Sequence, residues 1–163
     1  MSEIITRIHA FLAASGFAYE VIACPPEDAD TAVFVEKHGH ALEDSVNAIL
    51  VRSKTGEEQF VLGLVLAHTR LDVNKVVRKR MAVRKVSFAS MAEAVALTGM
   101  ESGGVTPFCL PDGLPVWVDS RIMERPRIIL GGGDRVSKII VQPGILETLP
   151  SFEVIEGLAF EAG

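Results

Sequence analysis

A glycine-rich segment, residues 98–108 (TGMESGGVTPF), is the part of this chain best suited to bind a ligand through its backbone. Gly103 and Gly104 lack side chains and permit positive φ, so N–H groups there can approach a substrate and converge on an anionic or carbonyl oxygen. Pro107 fixes φ where the loop ends. The segment therefore predicts a binding loop, although the same pattern is also typical of a simple turn.

A second glycine run, residues 131–135 (GGGDR), lies between two apolar strand-like segments and ends in the cation Arg135. We expect the two loops to form one cleft, in which Gly132 and Gly133 contact the substrate. Neither loop has the G-x-G-x-x-G or G-x-x-x-x-G-K-[ST] spacing that binds dinucleotides or nucleotide phosphates. The sequence therefore predicts no nucleotide cofactor.

Asn47 is a polar residue near the start of an otherwise apolar strand-like run, residues 46–51. A polar side chain in such a place needs either a protein partner or a ligand, and the sequence leaves both open. Lys138 lies in another predicted strand, where an exposed strand face is the simpler explanation for a lysine.

The pattern of cysteines and histidines predicts no metal site. Cys24 and Cys109 are far apart and form no C-x-x-C pair. His38 and His40 are two residues apart, which places them on different helix faces, and a glycine separates them. A reduced, cytoplasmic protein fits this usage.

The length, net charge and apolar runs of the chain limit the kinds of partner that it can bind. A chain of 163 residues fits one domain, and a net charge of −5 argues against binding long DNA or RNA through phosphate neutralisation. Six cations nevertheless cluster within residues 75–85, either as a patch that attracts an RNA end or as a solvated face. The longest apolar run, residues 60–67, is too short to span a bilayer, so no membrane insertion is predicted.

The periodicity predicts short helices mixed with short strands, without regular βαβ alternation. Residues 46–51 and 60–66 are expected to form a hairpin. Ser90 and Glu93 have the spacing of a capping box, which opens a helix ending at Gly99. The stripe expected to be buried on that helix is Met91, Ala94, Val95 and Leu97. The predicted fold class is α+β, with a mixed, curved, barrel-like sheet surrounded by several short helices.

The order of motifs resembles the YbaK/prolyl-tRNA-synthetase-associated editing domains. The segments that carry the resemblance are AVRKVSFAS (82–90), LTG (97–99), GGVTPF (103–108), LPVWVD (114–119) and GGDR (132–135). The resemblance extends from about residue 30 to about residue 155 within a single predicted domain, residues 1–163.

The resemblance implies a metal-independent hydrolase that removes a wrongly attached amino acid from tRNA in trans. It implies that the tRNA acceptor end is the partner, with a synthetase as a second candidate partner. The G-x-x-x-P loop of the family corresponds to residues 103–107. We therefore expect Asn47, Gly103 and Gly104 to be catalytic. The expected substrate-binding residues are Val105, Thr106, Pro107, Gly132, Gly133, Arg135 and Lys138.

Two positions differ from many members of the family, which have lysine at the position of Asn47 and glycine at that of Cys109, although other editing-domain relatives have asparagine at the first of these positions. An amide can hydrogen-bond a carbonyl, water or RNA oxygen, but it lacks the charge that lysine offers a phosphate. Arg135 or Lys138 could supply that charge. Three functions remain open. The first is deacylation of mischarged tRNA. The second is binding without turnover, with aminoacyl-tRNA, an amino acid derivative or a synthetase as the ligand, and the third is hydrolysis of small acyl esters.

Overall fold

The chain folds into helices and strands that a computed structural model describes over residues 2–28, 31–39 and 41–161. The α-helices in these ranges are α1 (Glu3–Ala14), α2 (Thr31–His38), α3 (Arg78–Met81) and α4 (Met91–Thr98). The strands are β1 (Tyr19–Ala23), β2 (Val46–Ser53), β3 (Phe60–Leu66), β4 (Thr69–Leu71), β5 (Val86–Phe88), β6 (Val116–Asp119), β7 (Ile128–Gly131), β8 (Ser137–Val141), β9 (Phe152–Ile155) and β10 (Ala159–Glu161). His40, one of the two histidines considered as metal ligands, lies outside the described residues.

The predicted α+β fold is confirmed, with a curved sheet that does not close into a barrel. A five-stranded mixed sheet has the order β5-β2-β3-β6-β9, in which β2 is antiparallel to β3 and β5, while β6 is parallel to β3 and β9. An antiparallel sheet has the order β1-β8-β7, and β10 pairs with β4. The predicted hairpin of β2 and β3 is confirmed.

The central hairpin separates two hydrophobic clusters. Alternate side chains of a strand point to opposite faces. One face, with Ala48 and Leu50, packs towards α1 and residues 100–108. The other face, with Ile49 and Val51, packs against Leu71 and the helical turns around Val77. Residues on β2 can therefore contact two different spaces, according to whether their number is odd or even.

Helix α4 begins and ends where the sequence predicts. Ser90 Oγ accepts a hydrogen bond from the Glu93 amide at 3.0 Å, and Glu93 Oε1 accepts one from the Ser90 amide at 2.9 Å. Gly99 ends the helix with a φ of +73°. The predicted buried stripe is wrong at Met91 and Val95, which are 68% and 45% exposed. This short helix touches the core through the Ala94 and Leu97 side, and Met91 is left at an opening.

Other differences from the sequence expectations concern short elements. The strand expected at residues 83–88 begins only at Val86, because Ala82 adopts a left-handed turn and Thr55 Oγ1 binds the amides of Arg84 and Lys85. Strands β4 and β10 have three residues each, too few to show a periodicity. Within residues 2–28, 31–39 and 41–161, no helix has the length and apolar composition needed to cross a bilayer.

Candidate functional site

The most prominent candidate site is an opening between two sheets. Ser45 forms an isolated parallel bridge with Ile129, which joins the start of β2 to β7. Beyond this bridge the strands separate and leave a cavity of about 450 Å³, here called the split-sheet cavity. Residues 46–50 of β2, residues 88–91 and 94, the loop residues 102, 103 and 105, Gly131 and Lys138 line it.

The two glycine loops pack backbone to backbone beside this cavity. The Gly133 amide donates to the Gly104 carbonyl at 2.6 Å, and the Glu101 amide donates to the Gly133 carbonyl at 3.1 Å. A Cβ at Gly104 would overlap the backbone carbonyl of Asp134. A Cβ at Gly131 would lie 2.8 Å from the Gly104 carbonyl oxygen. Only glycine therefore permits the close contact of these loops.

The loop amides divide into those that are bonded and those for which no acceptor is found. The Gly104 amide donates to the Glu101 carbonyl at 3.0 Å, and the Thr106 amide lies 3.4 Å from Met100 Sδ. Among the residues that the structure describes, no acceptor is found for the amides of Ser102, Gly103 or Val105, all of which line the cavity. The donors available to a ligand therefore belong to these three residues, while Gly104 has a packing role.

The edge of β2 supplies backbone groups on the opposite side of the cavity. The Ser45 carbonyl bonds Ala67 on the β3 side, whereas the Leu50 carbonyl accepts from the Ala89 amide on the other side, both at 2.8 Å. Because backbone groups alternate along a strand, the N–H and C=O of Ala48 point towards the cavity. The pairing of β2 with β5 covers only residues 51–53, so it does not reach Ala48. A backbone donor and acceptor are therefore presented there.

Asn47 lies at the boundary of the cavity. It is half-buried and lines the split-sheet cavity, but it shares its strand face with Ile49 and therefore points away from the face of Ala48. It also lines a second groove on that other face. This position suits contact with a group that passes from one space to the other, rather than with an atom deep in the split-sheet cavity.

Two predicted cations lie at different distances from the cavity. Lys138 on β8 is half-buried and lines it, with Nζ 5.6 Å from the ring centroid of Phe34. Its charge also opposes the burial that raises the pKa of the Cys24 thiol. Arg135 is exposed and does not line the cavity, although its Nε would lie 3.9 Å from a Cβ on Gly103. Arg135 is therefore adjacent to the outside of the loop.

The structure places the remaining predicted residues behind the loops. Thr106 is fully buried, and Pro107 lines a separate apolar cavity of about 190 Å³ with Phe11 and Cys109. Gly132 is buried beside Ser137, and a Cβ on Gly133 would come within 2.8 Å of Ile5 on α1. Together with Gly104, these residues support the loops, and their direct contact with a substrate stays a prediction. The structure brings together Asn47, Gly103, Val105 and Lys138.

Sequence reasoning missed most of the cavity wall. Ala48, Phe88, Met91 and Ser102 were not among the predicted residues, because neither their types nor their spacing carries a chemical signal. The capping box at Ser90 could have located one side, since it fixes where α4 begins. Cys109 has a φ of +61°, a region that favours glycine, so the backbone there suits the glycine that the family resemblance implies.

Fold and site together define an α+β protein whose cavity is bounded by an open strand edge and by loop residues whose amides have no acceptor in the described part of the chain. The described residues contain no group of three or more His, Cys, Asp or Glu placed to hold a metal ion. Solved structures share the fold, and three of them illustrate the similarity. One, provisionally described as a trans-editing enzyme for prolyl tRNA synthetase, has a TM-score of 0.80 and 22% identity over 100% of this chain and 99% of its own.

The second solved structure is a scaffold from computational grafting of linear epitopes, with a TM-score of 0.81 and 23% identity, covering both chains completely. The third is a hypothetical protein with a TM-score of 0.81 and 21% identity over 94% of this chain and 99% of its own. No curated protein gives a significant match to the sequence. The model of the aminoacyl-tRNA editing domain matches residues 14–149, and the chain belongs to that family.

Proposed function

We propose that the protein hydrolyses the ester bond of a mischarged aminoacyl-tRNA in trans. The observation that carries this proposal is that Ser102, Gly103 and Val105, whose amides have no acceptor among the described residues, line a cavity of about 450 Å³ together with the open edge of β2 at Ala48. Membership of the editing-domain family supports it at the level of substrate class.

The chemistry assigned to this cavity is addition of water to an ester carbonyl. The water oxygen bonds the carbonyl carbon, and the carbonyl oxygen becomes an oxyanion. The loop amides stabilise that oxyanion, because preorganised donors contribute most where charge develops in the transition state. The carbonyl then re-forms, the bond to the ribose oxygen breaks, and this oxygen takes the proton that the water has lost, so the products are a free amino acid and an uncharged tRNA. The Ala48 carbonyl is placed to accept a hydrogen bond from the substrate's α-ammonium group.

Selectivity would come from the size of the cavity. Ala48, Ala94 and Val105 give its wall small and medium apolar side chains. One methylene contributes about 1–3 kcal/mol to discrimination, so a limited volume separates small from larger amino acids. Acting on a tRNA acceptor end, the protein would work in the cytoplasm, alone or beside a synthetase.

Deacylation of a panel of mischarged tRNAs tests this function. We expect faster loss of a small amino acid than of a large one. Met91→Trp, which enlarges a cavity-lining side chain, should reduce the rate, whereas Val95→Trp, at an exposed position on the same helix, should not. Failure of the wild-type protein to release any amino acid above the spontaneous rate would rule out the enzymatic function.

A second candidate is a family member that binds aminoacyl-tRNA, an amino acid derivative or a synthetase without turnover. The neutral Asn47 favours it, because an amide cannot give the charge-assisted contact of the family lysine. This candidate predicts retained RNA binding with no deacylation. Hydrolysis of free amino acid esters at the same rate as tRNA-bound ones would instead indicate a small-molecule esterase.

A further inference from the structure

A second concave surface lies on the opposite face of β2 from the split-sheet cavity. This surface, here called the β4 groove, has a volume of about 650 Å³. Its apolar side chains include Ile49, Leu71, Val73 and Val86, contributed by β2, β4, the turn that precedes α3, and β5. The β4 groove and the split-sheet cavity share Asn47, Ile49 and Phe88, so both spaces border the same part of β2.

Two aromatic rings at the β4 groove are exposed. Phe88 is 63% exposed and Phe160 is 49% exposed. Phe160 lies opposite Arg70 in the pairing of β10 with β4, so the two side chains extend from the same face of this strand pair. Aromatic and guanidinium planes are the groups on which unstacked RNA bases stack, so two exposed phenylalanines and an arginine at one concave surface suit such a base.

The charge around the β4 groove is complementary to RNA. Residues 70–85 contain seven lysines and arginines and one acidic residue, Asp72, in a chain with a net charge of −5. The Asp72 carboxylate already accepts a hydrogen bond from the Lys75 amide at 3.0 Å. Arg70, Lys75 and Lys79 are exposed. A polyanionic partner is therefore favoured here over an apolar peptide or a second copy of an acidic chain.

We propose that the β4 groove binds the terminal nucleobase of the tRNA acceptor end, stacked on the exposed rings of Phe88 and Phe160. The aminoacyl group of the same nucleotide then enters the split-sheet cavity, and Asn47, at the boundary, contacts the terminal ribose between them. This inference rests on the proposed function. In this inference Asn47 positions the terminal ribose, which agrees with the location of its side chain on the same face of β2 as Ile49.

The test uses uncharged RNA, so that it does not depend on hydrolysis. Two fluorescent acceptor-stem hairpins are compared by anisotropy, one ending in CCA and the other lacking the terminal adenosine. We expect the wild-type protein to bind the CCA hairpin roughly 5- to 150-fold more tightly, the range that stacking of one base provides. Phe88→Ala and Phe160→Ala should each remove most of this preference and leave binding of the shorter hairpin unchanged.

Controls separate stacking from a general loss of structure. Phe88→Tyr and Phe160→Tyr keep the ring and should keep the preference. Tyr19→Ala removes a partly exposed aromatic side chain from β1, which does not line the β4 groove, and should have no effect. Equal binding of both hairpins by the wild-type protein, or a preference that survives both alanine substitutions, overturns the inference. If the protein deacylates tRNA but does not prefer the CCA hairpin, the proposed function stands and the base-binding inference fails. If the protein prefers the CCA hairpin but does not deacylate tRNA, the base-binding inference stands and the proposed hydrolysis fails.

Discussion

Gly103 and Gly104 are adjacent in sequence but have different roles in the structure. Gly103 is exposed with a φ of +85° and lines the cavity, whereas the Gly104 amide is bonded to Glu101 and its Cα touches the backbone of residue 134. A glycine at either position predicts that the backbone there lies close to another group. It does not predict whether the approaching group is a ligand or another loop, because that depends on the second glycine run.

Gly104→Ala is expected to destabilise the protein through steric overlap alone, since φ is not positive at this position. The obstructing atoms belong to the backbone of Asp134 and cannot rotate away, so the cost should reach or exceed the upper end of about 1–3 kcal/mol. Gly144→Ala is the matched control, because its Cβ would meet a movable Phe17 ring atom at 3.1 Å. Urea unfolding measures both, and equal midpoints for the two variants would contradict the explanation.

Asn47 distinguishes the two candidate functions. A deacylase that uses this amide predicts that Asn47→Ala lowers kcat/KM by about 2- to 12-fold, the loss of one neutral hydrogen bond of 0.5–1.5 kcal/mol. A non-catalytic binder predicts no turnover in wild type and a gain of turnover in Asn47→Lys. Gln142→Ala removes an exposed amide that caps no helix and serves as the control. Unchanged kinetics in Asn47→Ala would contradict a role for this side chain.

At the scale of elements, local sequence signals predicted the helix and the hairpin beside the site, but not the split-sheet cavity between the two sheets. The capping box and Gly99 determine where α4 begins and ends, and the apolar runs of β2 and β3 produce their hairpin. The separation of β2 from β7 could not be predicted, because it depends on pairing between strands far apart in sequence, which the bridge of Ser45 to Ile129 joins. The open edge at Ala48 follows from that separation.

The charge on Glu93 is expected to stabilise α4 in a pH-dependent way. The hydrogen bond from the Ser90 amide lowers the pKa of Glu93 most, burial opposes this effect, and the Arg52 guanidinium lowers the pKa further. A lowered pKa in the folded state means that the stabilisation is present above the unfolded pKa and is lost as pH falls through the folded value. Glu93→Gln should therefore lower Tm at pH 7 and differ little from wild type at pH 2 to 3.

Thermal unfolding of both proteins across this pH range, at low salt, measures the effect. Glu147→Gln is a suitable control, because this exposed glutamate is remote in sequence from α4 and belongs to a different helical turn. A difference between wild type and Glu93→Gln that stays constant from pH 7 to pH 2 would show that the charge of Glu93 is not its cause.

At the scale of the whole molecule, the sequence indicates a class of partner but no position for that partner on the surface. An acidic chain with a basic segment at residues 75–85 favours local rather than extended contact with RNA. The family model covers residues 14–149, so it includes both the basic segment and the two glycine loops. The basic segment lies between Asn74 and Val86, both of which line the β4 groove, and this groove depends on how β4, β5 and β10 pack together.

The basic segment should control RNA affinity through salt-dependent phosphate contacts. Lys75 and Lys79 are exposed, whereas Arg80 is held 2.9 Å from Glu153. Each phosphate contact contributes about 0.7–0.9 to the slope of log K against log salt. The double substitution Lys75→Gln and Lys79→Gln should therefore weaken binding of every acceptor-stem hairpin by a similar factor and reduce the slope by about 1–2 units, because it removes charge without altering base recognition.

Hairpin affinities measured from 50 to 300 mM salt test this expectation. Arg7→Gln, which removes an exposed cation from α1, should leave the slope unchanged. Phe88→Ala should also leave it unchanged while reducing the preference for a complete CCA end, since stacking releases no counterions. If the double lysine variant kept the wild-type slope, the phosphates would have to lie on another surface, and the orientation of RNA across the β4 groove would have to be abandoned.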